Sequence, residues 1–99
     1  MERIGKMEGY KIRLIEEYWQ LRARIERLQN IIDKAKSSNL DFKLNCPIRL
    51  LKEQLDAMNA YAGCIEERFL IEFTDDDINS EVFEDICRRY MGSDNYEFL

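Results

Sequence analysis

The chain has 99 residues, with 15 Lys/Arg against 20 Asp/Glu and a formal net charge of −5. That length allows one domain with a modest core, and an apolar content of 45% is too high for a disordered chain. An acidic total argues against general binding to duplex DNA, whose affinity comes from neutralising phosphates.

The first predicted element is a helix from about Glu8 to about Ala35. Met7, Leu14, Leu21 and Leu28 form one column of a seven-residue repeat, and Tyr18, Ile25 and Ile32 form the next. Lys11 stands where that second column would begin. Ser37, Ser38, Asn39 and Asp41 compete with helical backbone bonds and predict a turn. Leu40, Phe42 and Leu44 alternate, as they would to cap the end of a hairpin. Pro47 suits the first turn of a second helix, which runs to about Glu72. Its columns are Ile48, Leu55, Ala62 and Phe69, then Leu51, Met58 and Ile65. The connector is too short to return along a helix rising roughly 1.5 Å per residue, so the two helices fold back antiparallel.

Residues 1–73 therefore read as an antiparallel helical hairpin, and residues 74–99 as a short acidic helix and tail. Thr74 is an N-cap, and Asp75, Asp76 and Asp77 suit the positive end of a helix dipole. That third helix is expected from Asp75 to Met91 as one piece, with Arg88 and Arg89 in its last turn and Gly92 as its stop. Tyr96, Phe98 and Leu99 in the tail would be available to dock on a neighbour. The fold class is all-α.

Each long helix carries a second apolar stripe. On the first it is Ile12, Ile15 and Trp19; on the second, Leu50, Ala57, Cys64 and Ile71. A two-helix hairpin cannot bury both, and the third helix is too short to cover both fully. Ala57, Ala60, Gly63 and Cys64 are small enough to admit another helix closely. A homo-oligomer is expected, with Ile12, Ile15, Trp19, Ala57, Cys64 and Ile71 at its interface; the alternative is a compact three-helix monomer.

Charge is uneven along the chain. Residues 1–52 balance to +5 and residues 53–99 to −10. The basic half permits a local anion site, and the two halves also attract each other within or between subunits.

The chemistry of catalysis is thin. There is no histidine, no phosphate-cradling glycine loop, and no cysteine beside a candidate base. Cys46, Cys64 and Cys87 are scattered and odd in number, which suits reduced thiols in a cytosol. No run approaches the roughly 18 apolar residues of a membrane span, and MERIGKMEGYKIR lacks the apolar core of a signal peptide. The aspartate run is a dipole-complementing helix start rather than a metal site. A binding protein without cofactor or metal is expected, not an enzyme. Its candidate site flanks the seam: Arg13, Arg24 and Arg27 on the first helix, and Gln54, Tyr61 and Arg68 one heptad apart on the second. Arginine offers a planar fork for phosphate and tyrosine a ring for a base. Flanking residues of this kind also serve simply as edges making salt bridges with Glu17 and Glu66.

The stretches YKIRLIEEYWQLRARIERLQNII and LDFKLNCPIRLLKEQLDAMNAYAGCIEERFLIE resemble a family of small phage proteins related to a crAss-like phage protein. The shared elements are Tyr10, Glu17, Tyr18, Leu21, Arg24, Ile25 and Leu28, then Leu50, Leu51, Gln54, Leu55, Ala57, Met58, Tyr61 and Glu66 to Arg68. The hairpin is also similar to those of phage anti-CBASS and anti-Thoeris proteins, non-enzymatic sponges that bind cyclic nucleotide immune signals between subunits. Gly9-Tyr10-Lys11 is similar to a Gly-Tyr-Arg element at the start of the anti-CBASS hairpin. Where that pattern later has a lysine, this chain has Glu26, with Arg24 and Arg27 beside it. The resemblance implies a phage protein in the host bacterial cytosol that sequesters a cyclic nucleotide. Tyr10 and Tyr61 would then meet bases or ribose, and Lys11, Arg24, Arg27 and Arg68 phosphates. A module that inhibits a host protein by binding it, and a purely structural small phage protein, stand as alternatives.

Overall fold

A computed structural model describes residues 7–40 and 43–91. The expectations placed on Asp41, Phe42, Gly92 and the tail residues Tyr96, Phe98 and Leu99 lie outside these. The described residues form four helices: α1 (Gly9–Lys36), α2 (Ile48–Glu72), α3 (Asp75–Ile78) and α4 (Glu81–Met91). Among the described residues there is no strand, and no helix is long and apolar enough to cross a membrane.

α1 and α2 pack antiparallel along their length. The Tyr18 hydroxyl donates to Glu66 at 2.6 Å, and the Lys11 ammonium lies 5.6 Å from the centre of the Phe73 ring; together these fix the register. The heptad columns supply the seam: Leu14, Leu21, Ile25, Leu28 and Ile32 from α1, and Leu55, Ala62 and Ile65 from α2 are all buried. The result is elongated, 56 × 27 × 16 Å, with a radius of gyration of 16.8 Å against the ~13 Å of a globular chain this long. An elongated body leaves much side-chain surface open along the hairpin.

α1 ends where its seam ends. Asn39 N–H donates to the Lys34 carbonyl at 2.7 Å and Ser38 N–H to that of Ala35 at 3.2 Å, with Ser38 at φ 61°. This pair of bonds is a Schellman stop, and it places a serine where glycine is favoured. Pro47 lies just outside α2, as its N-cap, rather than in the first turn. Its missing N–H costs nothing there.

The expected single helix from Asp75 to Met91 is two helices. Thr74 and Asp77 form a reciprocal capping box, with the Asp77 N–H on Thr74 Oγ1 at 3.1 Å and the Thr74 N–H on Asp77 Oδ2 at 2.9 Å. One turn later Ser80 starts a new helix. Its hydroxyl donates to the Asp77 carbonyl at 2.8 Å and accepts from the Phe83 N–H at 3.1 Å. A side chain that satisfies both a closing carbonyl and an opening N–H divides the run.

α4 turns back and packs on α1. Ile86 is buried in the same core as the hairpin residues, so residues 74–91 add to that core rather than building their own. An edge-to-face series of rings joins the layers: Trp19 to Tyr18 at 5.4 Å, Tyr18 to Phe69 at 5.3 Å, Phe69 to Phe73 at 5.1 Å, and Phe73 to Phe83 at 6.3 Å. α4 also explains the second stripe of α1. Ile15 is only 1% exposed, and Ile12 and Trp19 are half-buried against the core. Ile15 is therefore not available to another subunit, because the chain covers it itself. The second stripe of α2 is not covered. Ala57 and Cys64 are exposed, and Ile71 is 82% exposed with Leu70 beside it at 85%.

Candidate functional site

The seven-residue repeat places Tyr10, Glu17 and Arg24 along one flank of α1, and Arg68, Tyr61 and Gln54 along the flank of α2 that faces it. All six are exposed. The antiparallel register sets Tyr10 near Glu72, Glu17 near Arg68, and Arg24 across from the turn that holds Tyr61. α4 packs elsewhere on α1, with Tyr90 3.5 Å from Gln20 and Arg89 3.6 Å from Glu16, so this flank stays open.

Two clusters occupy the flank. At the end where α1 begins and α2 finishes lie Tyr10, Arg68 and Glu72. Arg68 donates from Nε at 2.7 Å and from Nη2 at 3.2 Å to the two oxygens of Glu72, a forked charge-assisted pair. That hydrogen bonding raises the Arg68 pKa from its usual value, against the opposing effect of partial desolvation. The same bond holds the Glu72 carboxyl below its usual value, with further lowering from the Tyr10 hydroxyl and the Lys11 charge. In the middle of the flank lie Arg24 and Tyr61, with Arg27 one turn beyond Arg24 on the heptad column of Gln20. Tyr61 is 46% exposed, and neither arginine has an ion pair among the described residues. Fourteen residues separate Tyr10 from Arg24, roughly 21 Å along the helix. The six residues expected to meet a ligand are thus spread along the hairpin rather than gathered in one compact site.

Lys11 is the clearest departure from expectation. It occupies a seam position and is buried, with its ammonium 2.7 Å from Asp77 and 3.5 Å from Glu8. The hydrogen bond to Asp77 is the main cause of its raised pKa, against desolvation. For Asp77, partial burial pushes the carboxyl up, but the Lys11 and Thr74 hydrogen bonds outweigh it and the net shift is down. A lysine so engaged ties α3 to the hairpin and is not free to hold a phosphate. Three partners were not anticipated. Asp77 belongs by sequence to an acidic helix start, and its spacing from Lys11 carries no local signal. Glu72 was legible as the i+4 neighbour of Arg68. Phe73 follows the last heptad position of α2, outside both columns, yet it is buried at the corner of the ring series.

No group of three or more potential metal ligands is found among the described residues, and Cys46, Cys64 and Cys87 are unpaired thiols. An open groove between α3 and α4, lined by Ile78, Phe83, Cys87 and Arg88 among others, contains none of the expected ligand residues.

A two-helix rod braced by a third layer, with exposed arginine and tyrosine along one flank, defines an all-α helical-hairpin protein. The Sequestin family model matches residues 8–71, and the chain belongs to that family. The match covers the hairpin and stops before α3, so the family core is the element that carries the flank. The family name denotes sequestration, which fits binding rather than turnover. No curated protein and no solved structure matches the chain.

Proposed function

We propose that this chain is a phage sponge: it binds a cyclic nucleotide immune signal in the host bacterial cytosol and withholds it without cleaving it. The observation that carries this reading is the middle of the flank, where Arg24 and Arg27 are exposed and make no ion pair among the described residues, and Tyr61 presents a half-exposed ring. Guanidinium forks suit phosphate oxygens and a tyrosine ring suits a base face. Tyr10 and Arg68 provide a second contact point at the end of the hairpin, where a ligand phosphate must displace Glu72 from Arg68. Lys11 acts through structure, by holding the corner on which Tyr10 sits. Membership of a family named for sequestration supports the same reading.

Protection by sequestration depends on abundance and slow release. Calorimetry with a panel of cyclic dinucleotides, cyclic trinucleotides and cyclic ADP-ribose isomers tests it. Saturable heat with one class, and recovery of that molecule intact after denaturing the complex, is the expected result. Absence of heat with every member removes the reading. A second reading, inhibition of a host protein, draws on the acidic second half and on exposed Leu70 and Ile71. A stoichiometric host protein retained from lysate, with no nucleotide heat, would favour it.

A further inference from the structure

We infer that the Glu72 carboxylate is a built-in occupant of an anion site made by Arg68 and Tyr10, and that it closes this site to simple anions. For its biological role this site rests on the sponge reading, which it deepens: Glu72 sets what the end of the flank admits.

Helix energetics gives no reason for the pair. Glu72 is the last residue of α2, where the carbonyl end of a helix disfavours negative charge, and α2 has no basic residue in its last turn to offset it. The order is also the poorer one. An acid four residues before a base supports a helix better than a base four residues before an acid. Yet the pair forms in full, with Arg68 Nε at 2.7 Å from one carboxylate oxygen and Nη2 at 3.2 Å from the other.

The carboxylate has the surroundings of a bound anion. It receives the planar fork of Arg68 from α2, and the Tyr10 hydroxyl and the Lys11 charge act on it from α1. Lys11 is itself held by Asp77, so it contributes its field rather than a hydrogen bond. The Glu72 side chain is 28% exposed and that of Arg68 47%, so an arriving anion can reach the pair and exchange with the carboxylate. An exposed pair of this kind is weak, and opening it costs little for a ligand with contacts elsewhere on the flank. A free phosphate has no such contacts. It meets an occupied fork and the like charge of Glu72.

The test uses the full chain, with inorganic phosphate as the probe and the Arg68 Nε–H resonance as the readout. Wild type should show no saturable shift as phosphate is added. Glu72→Gln should show one, and adding Tyr10→Phe should weaken it. Equal responses in wild type and Glu72→Gln, or none in either, overturn the inference. So does a Glu72→Gln response that Tyr10→Phe leaves unchanged. Thermal melting separates a brace from an occupant. Glu72→Gln removes an acid from a helix end and should melt no lower than wild type; a marked drop would make the pair structural and overturn the inference. Phosphate should also weaken the binding of whichever cyclic nucleotide gives heat in Glu72→Gln, and leave wild type unaffected. If no cyclic nucleotide gives heat, the sponge reading falls, while the phosphate titration still decides this inference.

Discussion

The two long helices carry comparable second stripes, and the chain treats them differently. The stripe of α1 lies beneath α4, which buries Ile15 and half-buries Ile12 and Trp19. The stripe of α2 has no such cover among the described residues, and Ile71 stands in the open. An eleven-residue helix tethered at the end of α2 can fold back over only one of the two rods. The Lys11–Asp77 bond fixes which one, because it draws the start of α3 to the first turn of α1. The comparison teaches that an apolar stripe read from sequence does not say who covers it. The tether and its anchor decide.

The largest expected effect tests the covered stripe. Ile15→Ala empties a fully packed site and should destabilise the chain by about 3 kcal/mol, whereas Ile71→Ala should stay within about 0.5 kcal/mol. Urea unfolding at low protein concentration checks both. Equal costs would show that the two stripes are not differently covered.

Next in size is the anchor. The folded pKa of Asp77 is depressed, so its contribution to stability is fully present above the ordinary carboxylate value of 3.8 and is lost as pH falls through the lowered folded value. Lys11 is raised, so its contribution is present below 10.5 and is lost as pH rises through the raised value. Asp77→Asn should lower the melting temperature at neutral pH and flatten both the acid and alkaline limbs. It should also expose Trp19 to a fluorescence quencher if the bond holds α4 over its stripe. An unchanged pH profile would break the proposed link.

Smaller effects sharpen the picture. Ser38→Gly relieves a left-handed serine but adds freedom to the unfolded chain, for a net gain of about 0.5 kcal/mol by thermal melting. Arg49→Ala removes an exposed i,i+4 pair with Glu53 and should change stability by less than about 0.5 kcal/mol.

Most of the hairpin was legible in the sequence, because seam burial writes a seven-residue period directly into the chain. Leu14, Leu21, Ile25 and Leu28 on α1, and Leu55, Ala62 and Ile65 on α2, occupy the columns expected of them. The division of the last helix at Ser80 was missed because Val82, Phe83, Ile86 and Tyr90 keep helical spacing from Ile78 across it. A cap written by one serine is a weaker signal than that period. The candidate flank was legible as residue types and heptad positions. Its split into an internally paired end and an unpaired middle was not, since pairing depends on where Glu72, Asp77 and the corner at Phe73 fall in three dimensions. Lys11 shows the limit most clearly. A lysine beside a tyrosine at a helix start reads as a ligand contact, yet its seam position gave the better clue to its burial.

The most direct test of the open flank is an amide chemical-shift map recorded with whichever cyclic nucleotide gives heat. The account predicts saturable shifts along Arg24, Arg27 and Tyr61, extending toward Tyr10 and Arg68, with Gln20 and Tyr90 on the α4 side little changed. Shifts centred on α4, with the Arg24 and Tyr61 amides unmoved, would contradict it.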